Sequence, residues 1–202
     1  MKIEWVLMNM RLSGSAMNQE KAARIASGEY VLEATLEEHL LVTGLLELLL
    51  SMEALLGMGE ELSAATLNRF YQALNKGKIP PYRKRTPILF HLSYNPVLPQ
   101  EIEPELWELF RRLHDDVSEE PVSRAIRVHN EIIRIYPYDD CNEIMARAAM
   151  EYELCYSGLS MYPLTVSESV YNEALAVYLK TGKEDILGKN LQMNRLMMEN
   201  RR

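Results

Sequence analysis

The stretch Tyr136-Pro137-Tyr138-Asp139-Asp140-Cys141-Asn142-Glu143-Ile144-Met145-Ala146-Arg147 places phenols, carboxylates, a thiol, an amide and a guanidinium within a few turns of chain. By residue type alone, its first half is a helix stop, a proline turn and an acidic N-cap ahead of a helix that opens at Asn142. Capping accounts for Asp140 without a metal. Cys141 sits where a helix N-terminus lowers a thiol pKa, but Asp140 and Glu143 raise it again, which leaves an inert thiol. Arg147 is expected to pair with one of these carboxylates. His129 shares a helix face with Ile126, Ile132 and Ile133, the setting of a packed or hydrogen-bonded histidine. His39, His91 and His114 show no ligand spacing. Arg83-Lys84-Arg85 could meet a phosphate or an acidic partner, although a solvated loop is the plainer reading. Cys141 and Cys155 fit no CxxC or paired Cys/His spacing and read as reduced cytosolic thiols.

The elements that must position these groups are helical. Asn18 can cap a helix over 19–26 that Gly28 stops. Thr35 and Glu38 form a capping box opening a long helix to about Leu56. In it Leu36, Leu40, Leu41, Gly44, Leu45, Leu48, Leu49, Met52 and Leu56 recur at steps of three and four, giving a wide apolar face. Another helix runs from near Ser63 to before Gly77. From Lys78 to Gln100, Pro80, Pro81, Pro87, Pro96 and Pro99 forbid a continuous helix, and an extended flap or short β-hairpin is expected around residues 80–95. Helices resume over 104–114, 121–135, 142–156 and 167–180. Pro104 and Pro121 lie in tolerated first turns, and Thr165 with Glu168 reads as a further capping box. A Met-rich helix over 185–199 follows, with Met193, Met197 and Met198 as core or oligomer contacts. The fold class is all-α, and 1–202 reads as a single domain without linker or repeat.

The 202 residues are 48% hydrophobic and 25% charged, ordinary for a globular chain. A net charge of −7 argues against general nucleic-acid binding, because phosphate backbones need a cationic face, but leaves room for one nucleotide in a local pocket. Met1-Lys2-Ile3-Glu4-Trp5-Val6 is too short and too acidic for a signal peptide. Leu40 to Leu50 is punctuated by Glu37, Glu38, Glu47 and Glu53, so a buried core helix is expected there and no membrane span. The expected compartment is the cytoplasm. The long apolar helix and the Met-rich end leave room for a homo-oligomer.

The segment from Pro121 to Tyr156 resembles the core of the Fic (filamentation induced by cAMP)/Doc-like family. That family carries a helix followed by H-x-F-x-[DE]-G-N-G-R-x-x-R, which turns into the next helix. Residues 122–129 look like the upstream helix, with His129 seven residues ahead of the motif. Pro81-Tyr82-Arg83 looks like the start of the substrate-clamping flap, and 164–187 like the helical region after the motif. The resemblance implies a Fic-type helical bundle, with 1–30 as an N-terminal segment and 121–157 as the motif core. It also implies protein adenylyltransferase chemistry with ATP and Mg²⁺. In that chemistry a histidine base takes the proton of a target hydroxyl as it attacks the α-phosphate. A carboxylate holds the metal, a Gly-Asn-Gly turn at a helix N-terminus cradles phosphate, and two arginines hold the outer phosphates.

Carried onto this chain, the base position is Tyr136, the metal carboxylate Asp140, and the nucleotide contacts Asn142, Arg147 and, on the flap, Tyr82. A phenol with a pKa near ~10 is a poor base, and losing a general base costs about 10²–10⁴-fold in rate. The two glycines are Cys141 and Glu143, and the first arginine is Ile144. A like-charge pair at about 4 Å and an effective dielectric near ~20 costs about 4 kcal/mol, so Glu143 disfavours triphosphate. The family's inhibitory-helix pattern, [ST]-x-x-x-E-[GN], finds Ser13 and Asn18, with Met17 in the glutamate's place.

The favoured expectation is a Fic-fold pseudoenzyme that acts by binding or regulating a protein partner. ATP and Mg²⁺ are needed only if the family activity persists. One alternative is a transferase that moves AMP or another phosphate-containing group to a protein hydroxyl with a non-histidine base. A second is a structural helical scaffold or oligomer.

Overall fold

The computed structural model describes residues 2–77, 82–115, 118–183 and 185–199, with the side chains of Asp185, Met198 and Glu199 outside that description. Among them are nine α-helices and no β-strand: α1 (Lys2–Leu12), α2 (Gln19–Ala26), α3 (Leu36–Gly57), α4 (Ala64–Leu74), α5 (Ile102–Asp115), α6 (Pro121–Ile135), α7 (Asn142–Tyr156), α8 (Glu168–Thr181) and α9 (Asp185–Glu199). The all-α expectation holds. Several ends fall where capping chemistry puts them. Thr35 Oγ1 accepts from Glu38 N–H at 3.1 Å while Glu38 Oε2 accepts from Thr35 N–H at 2.9 Å, a reciprocal box at the start of α3. Glu38 also accepts from Ser15 Oγ at 2.6 Å, tying the link after α1 to α3.

The centre of the fold is the antiparallel pair α6 and α7. Nearly every residue of α7 is buried, charged ones included, whereas α6 buries one face. A helix enclosed on all sides must satisfy its polar side chains internally. Around this pair, α3 and α4 pack closely at Gly44, where a Cβ would lie 2.4 Å from the Leu74 carbonyl oxygen. By length and composition α3 could cross a membrane. In this fold it buries Val42, Leu45, Leu48, Leu49 and Met52 against α1, α2, α4 and α7.

Four details differ from expectation. Helix α1 carries no cap residue or clean apolar stripe, yet Trp5, Val6, Met8, Met10 and Leu12 are all buried, so tertiary packing makes it a helix. The cap of α8 is Ser167, whose side chain accepts from Val170 N–H, while Thr165 bonds Asn190 and Asn194 of α9. The flap's hairpin is reduced to one antiparallel bridge, Leu89 to Tyr94, closed by a 3-10 turn over Phe90–Leu92 and a left-handed Ser93. Pro80 and Pro81 lie outside the described residues.

The fourth difference is Arg83, which is 2% exposed and no solvated loop residue. Its Nε donates to Tyr136 O at 2.7 Å, Nη1 to Arg85 O at 3.0 Å, and Nη2 to Ile135 O at 3.1 Å and to Val97 O. Its backbone N–H donates to Pro137 O at 2.9 Å. One guanidinium thus takes up carbonyls orphaned at the end of α6 and pins both ends of the flap beside the motif loop.

Candidate functional site

Two residues with positive φ bracket the motif loop. Tyr136 (φ 52°) ends α6 with its N–H on Ile132 O at 2.8 Å, and Cys141 (φ 58°) precedes α7. The loop between them is closed by Asn142, whose Oδ1 accepts from Tyr138 N–H at 2.9 Å and whose Nδ2 donates to Tyr138 O at 2.8 Å. Both ends of that amide are committed to the loop. Tyr138 is 1% exposed, donates to Asn68 Oδ1 at 2.7 Å and packs against Tyr71 and Tyr82, so the motif's aromatic slot is filled by a phenol with a polar partner.

The loop opens onto a cavity of about 620 Å³. Leu40, Leu41, Leu74 and Ile144 form apolar walls. Ser13, Glu37, Asn75, Lys76, Tyr136, Cys141, Asn142 and Glu143 supply its polar ones. The residues with acid–base or nucleophilic potential are held in unreactive states. Burial pushes the Tyr136 phenol further up, with the charge of Glu143 adding to it, so the proton stays on. Burial and the Asp140 charge push the Cys141 thiol up to about 12. The helix cap expected of Asp140 is absent: Cys141 is the N-cap, and no side chain caps α7. Asp140 is exposed, is not among the cavity walls, and accepts from Tyr71 Oη at 2.5 Å.

Arg147 lies fully buried, and it is not a wall of the cavity. Its Nε donates to Asn9 Oδ1 of α1 at 2.7 Å, and its guanidinium carbon is 5.3 Å from the centre of the Tyr171 ring. Nη1 is 3.7 Å from Glu143 Oε2. The other oxygen of Glu143 is 3.2 Å from Nε2 of His91 on the flap's 3-10 turn. Glu143 therefore stands between the flap and the buried arginine, at the cavity wall. Beneath it, His129 shares Nδ1 with Asn130 Oδ1 and Nε2 with Tyr171 Oη, each at 2.8 Å. Burial pushes its pKa down to about 4, so it is a neutral structural histidine, as expected.

The structure brings Tyr136, Asn142 and Ser13 to one cavity and leaves Asp140, Arg147 and Tyr82 off its walls. Tyr82 is half-buried against Tyr138, with ring centroids 6.0 Å apart. Asn18 caps α2 by accepting from Lys21 N–H at 2.9 Å, and Met17 lines a different groove. Among the described residues no group of three His, Cys, Asp or Glu side chains could hold a metal ion by itself, and Asp140, at the metal-ligand position, accepts from Tyr71 through one oxygen and lies off the cavity walls. Sequence reasoning missed Asn9, Tyr171 and His91 as partners of the site. Asn9 is a buried amide on a helix that was not anticipated, and the other two come from elements remote in sequence.

The Fic/DOC family model matches residues 50–154. A search of curated proteins finds no match. Solved structures with the same fold include Fic-1 from C. elegans (TM-score 0.80, 19% identity, 99% of this chain and 64% of that one). Another is a Fic family protein from Desulfovibrio desulfuricans G20 (0.78, 18%, 99% and 64%). A third is a Fic domain containing signaling protein from Bacteroides thetaiotaomicron VPI-5482 (0.78, 16%, 99% and 81%). This chain thus spans less than two thirds of the C. elegans and Desulfovibrio chains it overlays. With the motif loop seated between α6 and the enclosed α7 and more than half of the sequence matched, the chain belongs to the Fic/DOC family.

Proposed function

We propose that this protein is a Fic-fold pseudoenzyme: it keeps the fold and the motif cavity, does not transfer AMP, and acts by binding a protein partner. The observation that carries this reading is the state of Arg147. The one arginine left from the family's pair is enclosed by Asn9, Tyr171 and Glu143, away from the cavity walls. A nucleotide entering the cavity would meet Glu37 and Glu143, with Lys76 the only cationic wall among the described residues. Like charges at that range oppose a triphosphate. Tyr136 cannot replace a histidine base while burial holds its proton on. The binding role draws on the apolar side chains left exposed around the cavity and flap, Leu36, Leu40, Ile88 and Phe90, an arrangement that suits a protein surface better than a phosphate.

The reading is tested by incubating the protein with Mg²⁺, ATP labelled on its α-phosphate and a mixed protein substrate. Labelling no higher than that of Arg147→Ala is expected. Label that reaches any polypeptide and depends on Arg147 would sink the proposal.

A further inference from the structure

A second groove, of about 600 Å³, shares no wall residue with the motif cavity. It runs between α1, the link after it, the segment Tyr162–Thr165 and α9. Its walls include Leu7, Met8, Met17, Leu164 and Met197, and Arg11 lies among them. Hydrogen bonds hold the groove in shape: Asn194 Nδ2 donates to Pro163 O at 2.9 Å, and Arg11 Nη2 donates to Leu164 O at 2.7 Å. The latter uses one donor of the Arg11 fork. Among the described residues Arg11 forms no ion pair, although the chain carries a net charge of −7. Its place in the last turn of α1 suits the helix dipole. The dipole favours a cation at this end of α1 but does not explain one beside an apolar slot where the carboxylate among the described walls, Glu4, lies seven positions back along the helix.

We propose that this groove binds an aliphatic monocarboxylate, with its alkyl chain against Leu7, Met8, Met17 and Met197 and its carboxylate on Arg11. Size, lining and charge all enter this assignment. Ligand sites of this kind are mostly apolar clefts of some hundreds of Å³ with a few polar groups that fix orientation. Methionines adapt to an unbranched chain without a shape of its own. A guanidinium pairs with a carboxylate through two parallel hydrogen bonds, and selects it over an alcohol or an amine. The wall residues Glu4 and Arg11 are separated by seven positions of α1, about 10 Å of helix, which suits a chain of about eight to ten carbons. The site is independent of the motif and of the function proposed for it.

Calorimetric titration with hexanoate, octanoate, decanoate, decanol and decylamine, below their micelle concentrations, tests the assignment. The carboxylates should bind saturably, one per chain, tightening about three- to four-fold per methylene. Decanol and decylamine should bind at least about ten-fold more weakly than decanoate. Arg11→Gln should lose about ten-fold for decanoate, and Ala16→Trp, which fills the groove from an exposed wall position, should abolish binding with an unchanged circular dichroism spectrum. If Ala16→Trp does not fold, the head-group series and Arg11→Gln decide alone. Unsaturable decanoate binding, equal affinity in Arg11→Gln, or decylamine binding as tightly as decanoate overturns the proposal. So would a protein that dimerises through this groove and that decanoate cannot separate.

Discussion

Replacing Arg83 with methionine keeps the aliphatic stem and removes the fork that meets the carbonyls of Arg85, Val97, Ile135 and Tyr136. A buried polar group left without its partner costs about 1–3 kcal/mol, and the sum over these acceptors is reduced because carbonyls tolerate partial satisfaction. A further reduction comes from no longer burying a guanidinium, whose own pKa burial pulls down. The net expectation is a loss of about 3 kcal/mol, and about 2 for Arg83→Lys, whose ammonium keeps the charge but cannot serve four acceptors from one plane. In urea, with a slope of about 2 kcal/mol per molar, the midpoint of Arg83→Met should fall by about 1.5 M. Native-state hydrogen exchange should quicken over 82–97 and over the motif loop, with α3 unaffected. A midpoint within about 0.3 M of wild type, or exchange unchanged in the flap, would refute the reasoning that Arg83 pins flap to motif.

Two further perturbations probe the frame of the site. Gly44→Ala drives a methyl into the Leu74 carbonyl and should cost about 3 kcal/mol, lowering the melting temperature by roughly 6–12 °C. A fall of less than about 2 °C would mean that α3 and α4 can separate without penalty. Glu151, fully buried on α7, accepts from Tyr162 N–H through one oxygen, has no partner on the other among the described residues, and is pushed up to about 8 by burial. Between the unfolded carboxyl pKa near ~4.3 and that value, the native state holds a proton the unfolded chain has lost. Stability on this account falls as pH rises, by up to about 1.4 kcal/mol per unit. Glu151→Gln keeps the Tyr162 contact and removes the titration, so melting curves of the two proteins should diverge from pH 5 to pH 8, the variant gaining on wild type. Parallel curves would contradict it.

Much of this fold is legible because its helix starts are written in local chemistry. Thr35 with Glu38, Asn18, Ser63 and Pro121 each open a helix where their side chains predict. Helix α1 carries no such mark, and with it Asn9 stays hidden as the partner of Arg147. The burial of Arg83 is equally silent in sequence, because a run of three basic residues looks the same whether it is solvated or threaded onto carbonyls left by a helix 50 residues later. At the site, residue types alone point to Tyr136 as a poor base and Cys141 as an inert thiol. They do not settle direction. Asp140 turns outward to Tyr71, and Glu143 reaches both His91 and Arg147, because the left-handed Cys141 sets how the loop enters α7.

The central claim, that the motif has lost nucleotide binding while its cavity survives, is tested most directly by calorimetric titration of ATP with Mg²⁺ into two proteins. One is the wild type; the other carries Tyr136→His, Glu143→Gly and Ile144→Arg together. The account predicts no saturable binding to wild type up to about 1 mM, and binding by the folded triple variant at least about ten-fold stronger than that limit. Saturation of the wild type at about 10 µM, lost again in Arg147→Ala, would contradict it. So would a folded triple variant that still ignores ATP.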